Sequence, residues 1–95
     1  MAAYWAVRIH VTDPESYGKY AELAGVAVEK HGGKFLARGG RQIIFEGGDY
    51  ERTVITEFPS LEQAEACYNS PDYREALKFA EGAADRLLVA VEGVE

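Results

Sequence analysis

Four charged or titratable side chains in segments with strand-like alternation are the residues of this sequence best suited to chemistry. They are Arg8, His10, Arg38 and Glu57. Histidine exchanges protons near neutral pH, and arginine can hold a carboxylate or an enolate oxygen through paired hydrogen bonds. In such a set His10 would be the acid or base. The two arginines would hold the anion, and Glu57 would be the orienting carboxylate.

A structural interpretation of the same charges stands beside the chemical one. Opposite charges on neighbouring strands commonly pair and stabilise a sheet. Arg8, Arg38 and Glu57, together with Glu92, could therefore pair across the sheet or across a subunit interface. The sequence leaves both interpretations open, so it does not decide whether the protein is an enzyme.

The other reactive residue types have structural explanations. His31 precedes a glycine pair at the end of a predicted helix, where the helix dipole stabilises a cation. Cys67 lies near the buried side of another predicted helix, as is typical of an inert core cysteine. These two residues and His10 lack the spacing of a metal site, and Ser60 and Ser70 are explained as helix caps. We expect no metal and no cofactor.

Length, charge and cysteine content limit the class of protein further. Ninety-five residues predict one domain, residues 1–95. A net charge of −6 argues against nucleic acid as a partner, since phosphate binding needs a surplus of Lys and Arg. A single cysteine permits no internal disulfide, which fits a reducing compartment. Neither a membrane-spanning apolar run nor a secretory signal is visible, so we expect a cytoplasmic protein with no membrane partner.

Alternation predicts the strand that carries Arg8 and His10. From Tyr4 to Val11 the residue types alternate with the period of two that a half-buried strand requires. One set is apolar and should face a core: Trp5, Val7, Ile9 and Val11. The other set is mixed and should face away from the core: Tyr4, Ala6, Arg8 and His10.

Caps and turns mark the other elements. A first helix is opened either by Asp13 before Pro14 or by Thr12 with Glu15, and Gly32-Gly33 ends it. We predict a strand over Lys34–Arg38 and Arg41–Glu46 with a bulge or bend at Gly39-Gly40, a strand over Arg52–Phe58, helices opened by Ser60 and by Ser70 with Pro71, and a strand over Arg86–Glu92.

This order predicts an α+β, ferredoxin-like βαββαβ fold, with helices on one face of a four-stranded antiparallel sheet. The face under the helices is predicted to carry Trp5, Val7, Ile9, Val54, Phe58, Leu87, Val89 and Val91. The open face is predicted to carry Tyr4, Ala6, Arg8, His10, Leu36, Arg38, Ile55, Glu57, Leu88, Ala90 and Glu92.

The open face is too apolar for a surface that contacts only water. It mixes aliphatic and aromatic side chains with a few charges, and such a patch usually marks an interface. A two-fold homodimer with its sheets face to face would cover it. The space between the sheets would have a mixed polar and apolar lining, which suits a small organic ligand.

Short sequence strings along nearly the whole chain resemble those of a known protein family. They are Tyr4-Trp5, Asp13-Pro14, Gly32-Gly33-Lys34-Phe35-Leu36-Ala37-Arg38-Gly39-Gly40, Glu51-Arg52, Glu57-Phe58-Pro59-Ser60, Ser70-Pro71-Asp72-Tyr73 and Gly82-Ala83-Ala84. Together they resemble the domain of unknown function 1330 family (DUF1330), in the dimeric α+β barrel superfamily. The resemblance implies a ferredoxin-like homodimer with facing sheets and no established activity. Tyr50 and Ala80 stand where tryptophan and arginine are expected in that family.

Two hypotheses about function follow. In the first, the homodimer binds a small hydrophobic carboxylic or phenolic metabolite between its sheets, with or without transforming it, using His10, Arg8, Arg38 and Glu57. In the second, the protein is a non-catalytic binding or stress-related dimer, and the same residues only fix the interface.

Overall fold

One face of a four-stranded antiparallel sheet is covered by helices, and the strands lie in the order β2 (Lys34–Arg38), β3 (Arg52–Phe58), β1 (Ala3–Val11) and β4 (Ala84–Glu92). The computed structural model describes residues 1–94. Its elements are β1 (Ala3–Val11), α1 (Pro14–Lys30), β2 (Lys34–Arg38), β3 (Arg52–Phe58), α2 (Leu61–Asn69), α3 (Pro71–Ala80) and β4 (Ala84–Glu92). The helices pack on one face of the sheet, which confirms the predicted ferredoxin-like α+β fold.

Side-chain caps fix where the helices begin. The Asp13 carboxylate accepts a hydrogen bond from the Ser16 backbone N–H, with proline at the first helical position, so Asp13 rather than Thr12 is the cap. Ser60 and Ser70 cap α2 and α3 in the same way. All three predicted helix starts are confirmed.

The core lies between β1 and the helices. Trp5, Val7 and Ile9 are buried, as the alternation of β1 predicts. The Trp5 ring lies 4.9 Å from the ring of Phe58 on β3 and 5.2 Å from that of Tyr73 on α3, measured between centroids. These contacts join the sheet to the helical layer.

The side-chain orientation predicted for β4 is wrong. Leu87, Val89 and Val91 were expected under the helices, but they are 53%, 59% and 52% exposed. The strand pairs with β1 so that Arg86, Leu88 and Ala90 lie beside Ile9, Val7 and Trp5, and Glu92 lies beside Ala3 on the same side. Since adjacent apolar residues occupy both faces of β4, alternation alone could not choose between the two orientations.

The prediction for β2 is wrong in two respects. The register of its pairing with β3 shifts between Phe35 and Ala37, so Arg38 lies opposite Val54 and faces the helices rather than the open side. The predicted continuation over Arg41–Glu46 is not a strand. The chain leaves the sheet at Gly39, whose φ of +73° is a left-handed conformation that favours glycine. Residues 39–51 form an irregular loop, here called the arm.

The outer face is the side of the sheet turned away from the helices. From β1 and β3 it carries Tyr4, Ala6, Arg8, His10, Thr53, Ile55 and Glu57, and from β4 it carries Asp85, Leu87, Val89 and Val91. No helix covers it within residues 1–94. It is therefore even more apolar along β4 than the sequence predicted.

Two glycines give a matched test of this packing. A methyl group at Gly33 would lie 2.5 Å from Val28 Cγ1 and 2.8 Å from Phe58 Cε1, whereas one at Gly18, within α1, would meet nothing within 4 Å. We predict that Gly33→Ala destabilises the protein by about 1–3 kcal/mol through overpacking, and that Gly18→Ala stabilises it by about 0.5–1 kcal/mol. Urea unfolding at one protein concentration measures both. Equal stability of the two variants would contradict this packing.

Candidate functional site

A cavity of about 30 Å³ lies between the sheet and helix α1. Trp5, Val7 and Ile9 of β1 line it from below, and Ala24 and Val28 of α1 line it from above. A volume of this size holds about two water molecules or one small charged group. The cavity is thus a confined site with apolar walls.

The polar lining of the cavity is entirely cationic or hydroxyl-bearing. Three of the ten Lys and Arg residues of the chain, Arg38, Arg52 and Arg86, line it. Tyr17, Tyr20 and one threonine supply hydroxyl groups. Of the chain's sixteen Asp and Glu residues, none of those within residues 1–94 contributes to the lining. In a protein of net charge −6 this cavity is therefore a local concentration of positive charge.

The sheet places two of these arginines on either side of one residue. Arg52 on β3 and Arg86 on β4 are both paired with Ile9, so they flank it on the helix-covered face. Adjacent strands lie about 4.8 Å apart, so the two side chains start about 10 Å from each other. Arginine side chains are long enough to approach one ligand from both sides across that gap.

Three buried polar atoms around the cavity have no hydrogen-bond partner. They are Arg52 Nε, Arg86 Nε and Thr56 Oγ1, and Thr56 is fully buried. A buried donor without a partner costs about 1–3 kcal/mol, and more when it is charged. All three atoms belong to residues that line the one cavity.

Arg86 also organises a pair of tyrosines. Its Nη2 atom donates to the hydroxyl oxygen of Tyr20 at 2.8 Å and to that of Tyr73 at 3.2 Å. The two hydroxyl oxygens are 2.6 Å apart, so one hydroxyl donates to the other. The pair therefore retains one O–H proton that can be donated elsewhere.

Burial keeps the hydroxyls of Tyr17 and Tyr20 in their protonated form. It raises the pKa of Tyr20 far above its ordinary value, and it also raises the pKa of Tyr17, an effect only partly opposed by Arg86 and Arg52. Of the hydrogen-bonded pair, Tyr20 lines the cavity. Tyr20 is thus suited to donate a hydrogen bond to a bound anion and unsuited to act as a base.

Arg38 closes the side of the cavity between β2 and α1. Its Nη2 atom donates to the backbone carbonyl of Ala21 at 2.8 Å, and its guanidinium lies 4.1 Å from the centre of the Phe35 ring. A Cβ atom at Gly25 would come within 2.9 Å of Nη2, so the glycine leaves room for this contact. Arg38 thus belongs to the cavity, on the opposite side of the sheet from the other three predicted site residues.

His10 and Glu51 form a second polar group, at the junction of β1 and the arm. His10 Nδ1 lies 2.8 Å from Glu51 Oε1, and Glu51 Oε2 accepts the Val11 backbone N–H at 2.7 Å. The Glu51 contact raises the pKa of His10. The Val11 N–H, followed by His10, lowers the pKa of Glu51 to about 2. These contacts hold the end of the arm against the sheet.

Arg8 and Glu57 have other neighbours. Arg8 donates to the backbone carbonyls of Gly47 at 3.4 Å and Tyr50 at 3.3 Å, and its guanidinium lies 5.3 Å from the centre of the Tyr50 ring. Glu57 accepts the Tyr4 hydroxyl at 3.4 Å. The structure therefore brings Arg8 and His10 together at the arm, but it leaves Glu57 apart from them.

Several residues of the cavity escaped the sequence analysis. The sequence patterns used Arg52 and Arg86 only as strand ends, and they gave no role to Tyr20 or to its hydrogen-bond partner outside the lining, Tyr73. Arg86 did offer a signal, because a charged residue at the start of a predicted apolar strand needs either water or hydrogen-bond acceptors for its guanidinium. Its partners on α1 and α3 are distant in sequence, so no local pattern could identify them.

His31 and Cys67 have structural roles. The His31 ring lies 2.9 Å from the Ala27 carbonyl at the end of α1. Cys67 is fully buried, and burial raises the pKa of its thiol to about 11, which keeps it protonated.

Among residues 1–94, no three His, Cys, Asp or Glu side chains are placed to hold a metal ion. No helix in this range has both the length and the apolar composition to cross a membrane.

The family model described as "Domain of unknown function (DUF1330)" matches residues 2–94. The chain belongs to this family. A comparison with curated proteins gave no match. The assignment thus agrees with the resemblance of its sequence strings and does not itself supply an activity.

Solved structures similar to this DUF1330 chain share its fold. A protein of unknown function from Rhodopseudomonas palustris has a TM-score of 0.81 and 23% identity over 99% of this chain and 83% of its own. A dimeric ferredoxin-like protein of unknown function from Jannaschia sp. has a TM-score of 0.76 and 12% identity, covering 98% and 100%. SnoaB, a cofactor-independent oxygenase from Streptomyces nogalater, has a TM-score of 0.66 and 7% identity, covering 99% and 94%. These likenesses show the fold alone.

The stability that His10 and Glu51 contribute depends on pH in a defined direction. The pKa of His10 in the folded protein lies above its ordinary value of 6.5. The stability that His10 contributes is therefore complete below pH 6.5, and it is lost as the pH rises through the raised pKa. The contribution of Glu51 is complete above its ordinary pKa of 4.5 and is lost as the pH falls toward about 2. The pair therefore stabilises the fold most between those two ordinary values.

We predict that His10→Gln loses more stability at about pH 5.5 than at about pH 8.5, since a charged imidazole gains more from the Glu51 carboxylate than a neutral one. Asp85 and Asp49 add to this effect in the same direction. Urea unfolding of both proteins at both pH values measures the difference. Lys30→Gln is the control, because it breaks an exposed ion pair, Lys30 with Asp72 at 2.8 Å, that contains no histidine. A loss for His10→Gln that is independent of pH would refute the prediction.

Proposed function

We propose that this protein is a homodimer that binds a small hydrophobic carboxylic or phenolic compound in the cavity between its sheet and α1. One observation carries the proposal. Three buried polar atoms without partners belong to residues that line a cavity containing three arginines and no described carboxylate. A carboxylate or phenolate oxygen would supply the missing acceptors and balance the charge.

The walls of the cavity define the rest of the ligand. Its charged end would lie between Arg52 and Arg86 above Ile9, within reach of Thr56. Its apolar part would contact the aromatic side of the cavity, at Trp5. Because the cavity is only about 30 Å³, a ring-sized ligand requires the Arg38 side chain to move away from Ala21. A small planar acid therefore needs the least displacement of this side chain.

We place the ligand on the helix side rather than between two facing sheets. Arg8 and His10, which would hold it between the sheets, already contact the carbonyls of the arm and Glu51. Arg38 is on the other side of the sheet. The helix-side cavity keeps the ligand chemistry of the first hypothesis and changes its location.

The cavity favours binding over catalysis. No described lining residue is a carboxylate, histidine, cysteine or lysine, so no ordinary general base faces the ligand. Tyr20 can donate a hydrogen bond, but its raised pKa keeps the hydroxyl protonated, so it serves neither as a base nor as an effective acid. A non-catalytic binding protein, the second hypothesis, is accordingly the form of the proposal that we prefer.

The homodimer in this proposal is supported by the outer face. Leu87, Val89 and Val91 expose three neighbouring aliphatic side chains on β4, and patches of this kind mark interfaces. The similar protein from Jannaschia sp. is described as dimeric. Two outer faces related by a two-fold axis would cover each other.

Thr56→Val distinguishes a ligand site from ordinary core packing. Valine removes the unpaired hydroxyl at nearly constant shape, so we predict that the ligand-free variant is at least as stable as the wild type. Affinity for a bound acid should fall about fivefold, since one hydrogen bond is lost. Thermal shifts with a panel of small aromatic carboxylic acids, 2-keto acids and phenols measure both effects.

The controls separate the two sides of the sheet. Arg8→Gln alters the outer face and the arm, so it should leave ligand affinity unchanged, whereas Arg52→Gln should reduce it about tenfold or more by removing a charged donor. Three outcomes would overturn the proposal: no compound in the panel stabilises the wild type, Arg52→Gln binds like the wild type, or Thr56→Val destabilises the free protein and leaves binding intact.

A further inference from the structure

The arm, residues 39–51, is fixed in place although it contains no helix or strand. At its far end, Glu51 contacts His10 and the Val11 N–H. Gln42 donates to the Tyr50 carbonyl at 2.7 Å, and it accepts the Thr53 hydroxyl at 2.6 Å. With the Arg8 contacts to two of its carbonyls, these bonds give the arm a defined path over the end of the sheet.

The tip of this fixed loop is unusually apolar. Ile43, Ile44 and Phe45 are consecutive, and they are 76%, 44% and 88% exposed. Three adjacent large apolar residues in contact with water are unfavourable unless they serve an interface. The bonds that fix the arm therefore hold an apolar surface outward instead of burying it.

The arm tip lies on the outer-face side of the sheet. A recess beside the tip is bordered by Arg8 and Thr53, and both of these residues are on the outer face. Arg8 is paired with Leu87, which begins the exposed aliphatic row of β4. The arm tip and this row consequently lie on the same side of the sheet, with Arg8 between them.

We propose that the arm tip of one copy of this chain packs against the β4 row, Leu87, Val89 and Val91, of a second copy. The inference rests on the proposed homodimer and specifies how it is held. In a two-fold dimer each chain presents both a tip and a row, so the contact occurs twice and leaves neither surface exposed.

The charges of the region favour a second copy over a membrane or an unrelated partner. The outer face carries Arg8 and His10 together with Glu57 and Asp85, a balanced mixture that suits a self-complementary contact. An anionic lipid surface would select a cluster of lysines and arginines, and the chain has a net charge of −6. Both surfaces needed for the contact are already present on one chain.

Photo-crosslinking tests the contact directly. With p-benzoylphenylalanine in place of Phe45, illumination should link two chains, and mass spectrometry should place the link in the peptide that contains residues 84–92. The same photoreactive residue in place of Val26, which is 62% exposed on α1, should give no link between chains. Links from position 45 to its own chain only, or to another surface of the partner, would overturn the proposal.

Dissociation of the dimer gives an independent measurement. Phe45→Ser with Ile43→Ser should raise the dimer Kd about tenfold or more in sedimentation experiments, and Val26→Ser should not change it. Since the arm tip lies outside the core, circular dichroism should show both variants folded.

A wild type that remains monomeric overturns the homodimer itself. A dimer that is weakened by Leu87→Ser but not by the arm substitutions overturns only the role of the arm.

Discussion

The burial of the Arg86 guanidinium against Tyr20 and Tyr73 is the interaction on which the rest of the structure depends. A charged group can lie beneath the helices only where acceptors replace the water that it loses, and the two hydroxyl oxygens are those acceptors. With Arg86 directed inward, alternation directs Leu87, Val89 and Val91 outward. One hydrogen-bonded cluster thus determines both the positive lining of the cavity and the apolar row on the opposite side.

The distribution of charge across the sheet separates two roles. Arg38, Arg52 and Arg86 line the cavity on the helix side, and none of the described acidic residues contributes to that lining. Arg8 and His10 lie on the outer face, where backbone carbonyls and Glu51 occupy them. Cations of the first group retain bonding capacity for a ligand, whereas those of the second group fix a loop. The same residue types therefore serve recognition on one side of the sheet and architecture on the other.

Much of the fold could be predicted from the sequence because its determinants are local. Asp13, Ser60 and Ser70 each cap the helix that follows within three residues, and β1 alternates cleanly between core and outer face. The prediction failed where the deciding partner is distant. The orientation of β4 depends on tyrosines of α1 and α3, and the side on which Arg38 lies depends on a bulge in β2.

The candidate site shows the same limit more strongly. Of the four residues singled out from the sequence, only Arg38 lines the cavity. Tyr20 and Arg52 look like ordinary core and strand residues in the sequence, and only the fold brings them together in the cavity lining. Individual residue types indicated acid–base and anion chemistry, but only the pairing of three strands shows which cations converge and which are already engaged.

The close approach of Gly39 and Arg52 has a consequence for how this protein can vary. A side chain at position 39 would occupy the space of the Arg52 guanidinium, since a Cβ there would lie 2.7 Å from Cζ. The first residue of the arm and a wall of the cavity are therefore in direct contact. Any side chain introduced at position 39 would have to displace that guanidinium, so the residue that starts the arm also sets the position of a cavity wall.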